Sequence, residues 1–197
     1  MRNIVGITVA GVLVFASASS AWAQDEKVSK NITRIAEKEI VALAGESVVV
    51  DAVKDANREA VKSLDEIMKL DKRWRATEGV DEWIGGFMNN PCADYLKKVQ
   101  RSAKKGAQDL YSEMFVMDKQ GNIVAETNKT SDYWQGDEDK FKKSFADGEG
   151  SIFIDEPSFD ESTQTYLVQV SVPILDPDTE KAIGAMTVGI NLDVLGE

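Results

Sequence analysis

The first half of the chain carries apolar residues at helical spacing. Between residues 24 and 75, apolar positions recur every three or four residues among charged ones, the spacing of an amphipathic helix. The first stripe comprises Val28, Ile32, Ile35, Ala36, Ile40 and Leu43, and a second runs from Val50 to Trp74. We predict one long helix or two, with Gly45 as the break, because glycine weakens a helix interior. A third helix is predicted over residues 91–105, with Asn90 as N-cap and Pro91 in the first turn.

After Gly106 the pattern changes to the alternation typical of strands. Residues 110–117 and 122–126 are predicted to form a hairpin around Gly121. A short helix is then predicted over residues 137–146, followed by strands over residues 151–155, 165–175 and 182–192. This order indicates an α+β domain with a five-stranded antiparallel sheet, one face of which the N-terminal helices cover.

Residues 1–23 have the features of a secretory signal. Arg2 precedes an apolar run, and Ala21-Trp22-Ala23 is a typical cleavage site. We predict a periplasmic protein that begins at Gln24 and forms one domain over residues 24–197, with a helical part (24–105) and a sheet part (106–197). An uncleaved membrane anchor is the alternative.

Composition narrows the function. The sequence has 34 acidic and 23 basic residues and a net charge of −11, which argues against nucleic acid as a partner. It contains no histidine, which removes the commonest general base and the commonest zinc ligand. We therefore predict no catalytic activity, no cofactor and no metal. The acidic groups around Asp155 and Asp176 lack EF-hand spacing and are interpreted as solvated turns.

Two segments are candidates for a binding site. The loop before the fourth predicted helix carries Tyr133, Trp134, Gln135 and Asp137, which offer stacking surface and hydrogen-bonding groups. Alternatively, Trp134 fills the end of the sheet and Asp137 caps the helix.

The second candidate segment is Arg73-Trp74-Arg75, which could capture a carboxylate through a guanidinium. Alternatively, these basic residues only complement the dipole of their own helix.

Most of the chain resembles a known family. The segments at residues 110–141 and 159–195, with AVKDAN (52–57), LDKRWRA (70–76) and NNPCADYLKKVQ (89–100), resemble periplasmic Cache/PDC sensor domains of bacterial chemoreceptors and sensor kinases. The resemblance implies a PAS-like sheet with a helix inserted after its second strand. It also implies a small-molecule pocket between this sheet and residues 130–145, and a membrane-bound signalling partner.

The resemblance also bears on the ligand. Where amino-acid-sensing members carry their binding motif, this sequence has Glu138, Lys140 and Phe141, then Ser158 and Asp160, and finally Asn191. Asp160 matches the aspartate of that motif, but Asn191 replaces its final acid, which argues against an α-ammonium ligand. The favoured ligand is a small carboxylate held by Arg73 or Arg75 beside the aromatic pair, with Asp155 and Tyr166 as further candidates.

Two predictions concern partners. We predict a homodimer through the N-terminal helices, whose apolar stripe is longer than one small sheet requires. The alternative function is an interaction or solute-binding protein that works with a separate membrane partner and keeps only a vestigial pocket.

Overall fold

A computed structural model describes residues 18–59, 61–160 and 164–196. The helices are α1 (Ala18–Ile35), α2 (Val41–Ala44), α3 (Ser47–Arg58), α4 (Leu64–Ala76), α5 (Glu82–Met88), α6 (Pro91–Ser102), α7 (Asp139–Phe145) and α8 (Leu192–Gly196). A π-helical turn, Ala36–Ile40, joins α1 to α2. None of the helices in the described part of the chain is long and apolar enough to cross a membrane. The predicted signal sequence falls largely outside the described residues and stays a prediction.

The helical half is divided more finely than predicted. The break at Gly45 is confirmed, since α2 ends there and α3 begins two residues later. The prediction that the second stripe continues unbroken to Trp74 is wrong, because α3 ends at Arg58 and α4 begins after Ser63. Ser63 and Glu66 form a reciprocal capping box that starts the new helix.

Side-chain caps begin the next two helices, α5 and α6. The short helix α5 was not predicted; Asp81 begins it by accepting a hydrogen bond from the backbone N–H of Ile84 at 2.8 Å. The predicted Asn90 cap of α6 is confirmed, with the Asn90 side chain accepting from the N–H of Ala93 at 2.9 Å.

The strands are β1 (Lys104–Lys105), β2 (Gln108–Asp109), β3 (Tyr111–Met117), β4 (Ile123–Glu126), β5 (Phe153–Ile154), β6 (Ser158–Asp160), β7 (Thr165–Leu175) and β8 (Ala182–Asn191). The main sheet is antiparallel in the order β4-β3-β8-β7-β5, and β6 also pairs with β7. The α+β class, the antiparallel sheet and the helix inserted after its second strand are confirmed. The small β1–β2 hairpin and the separate strand β6 were not predicted.

The N-terminal helices cover one face of the sheet, as predicted, and a second cluster covers the other face. In one core cluster, the helices α1, α2, α3 and α6 pack on the sheet. This cluster includes Ile40, Val53 and Met114. The other cluster contains Trp74 and Phe115. Neighbouring residues of β3 enter opposite clusters, because successive side chains of a strand point to opposite faces. The second face therefore carries α4, α5, α7 and the loop before α7.

Candidate functional site

A buried carboxylate fixes the loop between β4 and α7. Asp71 of α4 is 1% exposed, and its Oδ1 accepts hydrogen bonds from the backbone N–H groups of Tyr133 at 3.0 Å and Trp134 at 3.1 Å. Its Oδ2 pairs with Arg75 at 2.6 Å, and the same guanidinium reaches Asp132 at 2.7 Å. Asp71 and Arg75, one turn apart on α4, thus hold the backbone of the loop and the side chain of Asp132.

Two of the predicted binding aromatics belong to the core. Trp74 is fully buried, and its indole N–H donates to the carbonyl of Thr130 at 2.8 Å. Its ring lies 5.6 to 5.8 Å from the rings of Trp83, Phe87 and Tyr133. Such edge and tilted aromatic contacts stabilise a packed cluster. Trp74 and Tyr133 therefore support the loop from beneath.

The positions of Trp134 and Asp137 can be compared with the alternative that Trp134 fills the end of the sheet and Asp137 caps the helix. The indole N–H of Trp134 donates to the carbonyl of Gln120 at 2.8 Å, and its backbone bridges to Asn122. This geometry agrees with a residue that closes the end of the β3–β4 hairpin. Asp137 is exposed, and the N-cap of α7 is Glu138 without a side-chain hydrogen bond. The structure thus assigns the capping role to neither carboxylate.

A cleft of about 430 Å³ opens between the loop and strands β3 and β7. Its lining comprises Arg75, Glu113, Phe115, Lys129, Thr130, Ser131, Gln135, Lys140, Asp160 and Gln169. Of the predicted binding residues, Arg75 and Gln135 are brought together here.

The other predicted binding residues lie outside this lining. Arg73 pairs with Asp81 at 3.0 Å and stacks over Trp83. Asp155 lines a groove beside α1, and Tyr166 is exposed on β7.

The cations of the cleft already have partners. Arg75 holds two carboxylates, and Lys140 pairs with Glu138 at 3.0 Å. The ammonium of Lys129 donates to the carbonyl of Thr77 at 2.6 Å.

Two side chains of the cleft, Glu113 and Gln135, carry hydrogen-bond acceptors with few partners among the described residues. Glu113 of β3 is 8% exposed, and its Oε1 accepts a hydrogen bond from Gln169 Nε2 at 2.7 Å. Burial is the main cause that raises the pKa of the Glu113 carboxyl, and nearby Asp160 raises it further. Gln135 is 1% exposed. Its Nε2 donates to the carbonyl of Asp132 at 2.9 Å, while its buried Oε1 has no partner among the described residues.

Glu113 and Gln169 were missed in the sequence. They lie on β3 and β7, where both are paired with Gly189 of the intervening strand β8. A charged residue within the apolar stretch YSEMFVM was the available signal, since such residues are rarely buried without a partner. The sequence could not show that Gln169 lies across the sheet from it.

Comparison with known families identifies the domain. A family model described as "Methyl-accepting chemotaxis protein-like, first PDC sensor domain" matches residues 92–197, which is more than half of the chain. The chain belongs to this family. The Cache/PDC resemblance seen in the sequence is therefore confirmed, and the chain is a PDC sensor domain. The matched residues contain α6 except Pro91, every strand in the described part of the chain, and Glu113 and Gln135 of the cleft.

The solved structures to which this chain is similar include sensor domains at low sequence identity, with TM-scores below 0.5. The sensor domain of the V. cholerae histidine kinase DctB is 14% identical with a TM-score of 0.46, covering 90% of this chain and 57% of that chain. The sensory domain of the Campylobacter jejuni chemoreceptor Tlp3 with isoleucine bound is 16% identical with a TM-score of 0.40, covering 91% and 66%. The ligand-binding domain of the Pseudomonas aeruginosa PAO1 amino acid chemoreceptor PctC with GABA is 14% identical with a TM-score of 0.37, covering 80% and 60%.

The PDC chain thus spans 57 to 66% of the length of these three structures. A comparison with curated protein sequences gives no match.

Proposed function

We propose that this PDC domain is a periplasmic, non-catalytic sensor that binds a small molecule reversibly in the cleft between residues 129–135 and the sheet. The observation that carries the proposal is the buried Oε1 of Gln135, an acceptor without a partner among the described residues. Leaving a buried acceptor unpaired costs about 1 to 3 kcal/mol, and a bound ligand would remove this cost. The cleft volume of about 430 Å³ is within the usual range for small-molecule sites.

Other features support binding without chemistry. The sequence contains no histidine, and the cleft is lined by two amides, two hydroxyls, one aromatic ring and five charged side chains. In a sensor of this kind, the occupied domain would report to a membrane-bound signalling partner. The small carboxylate predicted as ligand has weaker support, since Arg73 and Arg75 are both engaged in ion pairs.

The homodimer stays a prediction. The apolar stripe that suggested it is largely used within one chain, because Ile32, Ile35 and Ile40 are buried against the sheet. A groove lined by Val28, Ile154 and Pro157 among others lies beside α1.

Thermal unfolding of the protein with a library of small acids, amines, amino acids and sugars tests the proposed function. A compound present at a hundred times its Kd adds about 2.7 kcal/mol of stability. We expect at least one compound to raise the Tm of the wild type, and Gln135→Met to abolish the rise. The exposed Gln108→Met is the matched control. A library without any stabilising compound, or one whose effects survive Gln135→Met, would contradict the proposed site.

A further inference from the structure

Glu113 is a buried carboxylate whose polar contact is with a neutral group. Its Oε1 accepts from the amide of Gln169 at 2.7 Å, and within the described residues it takes part in no ion pair. A carboxylate removed from water is stabilised most by a cation that also donates hydrogen bonds. The cleft is the open side from which such a cation could reach Glu113.

Gln135 adds an acceptor of fixed orientation to the same cleft. Its Nε2 donates to the carbonyl of Asp132. Because a carbonyl can only accept, the amide nitrogen must face Asp132, and the oxygen is the atom left for another partner. That oxygen is buried and unpaired among the described residues. What it requires is a donor, which a carboxylate ligand does not carry.

The charge around the cleft favours a cation. The lining residues and their ion-pair partners comprise three cations and five carboxylates. Arg75 and Lys140 are held by carboxylates at 2.6 to 3.0 Å, and Lys129 donates to the carbonyl of Thr77, so each of the three cations is already engaged within the chain. The excess negative charge would instead attract a cationic ligand.

Glu113 is also held in position before a ligand arrives. A Cβ at position 189 would lie 2.8 Å from Glu113 Cγ, so the glutamate stem crosses β8 where the backbone carries no side chain. Gln169 fixes the carboxylate from the far side of that strand. A group fixed in this way loses little conformational entropy on binding.

We infer that the cleft recognises a primary ammonium group, or a similar nitrogen cation with several N–H donors, which Glu113 and Gln135 Oε1 accept together. This inference rests on the proposed function of the cleft. It differs from the carboxylate class favoured by the sequence. Arg75 then positions the loop and does not contact the ligand.

Calorimetric titration of the full chain with matched pairs of probes tests the inference. Isobutylamine is compared with isobutyrate, and 1,4-diaminobutane with succinate, since each pair shares its carbon skeleton and differs in the charged group. We expect the amines to bind and the acids not to bind. Glu113→Gln should weaken amine binding at least tenfold, since hydrogen bonds to charged groups contribute more than neutral ones. The exposed Glu156→Gln should leave the affinity unchanged.

The outcomes separate this inference from the proposed function. Acids that bind more tightly than their matched amines, or amine binding that survives in a folded Glu113→Gln variant, would overturn the ammonium assignment. Compounds that bind through Gln135 while all four probes fail would leave the proposed function standing and the inference refuted. Failure of every compound in the library would overturn both. If Glu113→Gln does not fold, Gln135→Met provides the decisive comparison, because it removes the second acceptor.

Discussion

Replacement of Glu126 by glutamine should remove much of the pH dependence of folding. Glu126 ends β4 and is fully buried. Its Oε2 accepts from the N–H and hydroxyl of Thr130 at 3.1 and 3.0 Å, while its Oε1 has no partner in the described part of the chain. Burial raises the pKa of this carboxyl to about 7, although the Thr130 hydrogen bonds and Lys129 oppose the rise and Glu113 adds to it.

The direction of the pH effect follows from the pKa of Glu126 in the unfolded and native states. In unfolded chains the carboxyl has its ordinary pKa of 4.5, so between pH 4.5 and about 7 the native state holds a proton that the unfolded state has lost. The stabilisation is fully present below pH 4.5 and disappears as the pH rises through about 7. At about 1.4 kcal/mol for each pH unit, the loss from Glu126 amounts to roughly 3 kcal/mol.

Urea unfolding of the wild type and Glu126→Gln at intervals from pH 5 to 8 measures this loss. The wild type should become less stable with rising pH, and the variant should lose less stability over the same range. Some decline should remain in the variant, because burial also raises the pKa of Glu113. The exposed Glu156→Gln serves as the control and should follow the wild type. Equal declines in the wild type and Glu126→Gln would refute the argument.

Three further substitutions test the support of the loop and the packing of the sheet. Trp134→Ala should lower the free energy of unfolding by about 3 kcal/mol, since it removes a packed indole and its hydrogen bond to Gln120; a change below about 1 kcal/mol would contradict the supporting role. Gly184→Ala should cost about 3 kcal/mol by urea unfolding, because the new methyl would clash with the carbonyl of Met117, and a neutral effect would contradict this packing. Asp71→Asn should accelerate amide hydrogen exchange of residues 133 and 134, because the buried charge is lost from both backbone hydrogen bonds; unchanged exchange would show that the loop is held elsewhere.

The sequence predicted those parts of the fold whose signals are local. Asn90 followed by Pro91 specifies the start of α6 without help from the rest of the chain, and Gly121 adopts the positive φ of 79° that the hairpin turn requires. The split between α3 and α4 was equally readable, because Ser63 and Glu66 have the spacing of a capping box. The apolar period continues across this boundary and therefore does not mark it.

Burial on both faces of the sheet depends on contacts that are distant in sequence. The stretch from Met114 to Met117 is continuously apolar, a pattern that fits a strand buried on both faces better than one with a solvated face. What covers the second face, however, includes Trp74 and Phe141, which lie on separate helices. Their meeting point follows from the packed fold and not from any spacing within one segment.

The sequence singles out the loop as a candidate binding segment, but it does not show the direction of each side chain. Tyr133 and Gln135 are both buried, yet Tyr133 joins the aromatic core while Gln135 lines the cleft. Trp134, between them, points to the hairpin end. Because an irregular segment has no fixed period, composition alone does not separate a core residue from a binding residue.

Both arginines that were predicted to bind the ligand form ion pairs within the chain. In a sequence with 34 acidic and 23 basic residues, an arginine near a loop is more easily paired with a carboxylate of the chain than left free. Arg75 meets Asp71 on the same helix and Asp132 in the loop, and Gln135 binds the carbonyl of that same Asp132. Carboxylates of the chain therefore pair with Arg75 and hold the loop in place. Glu113 lines the cleft without an ion-pair partner among the described residues.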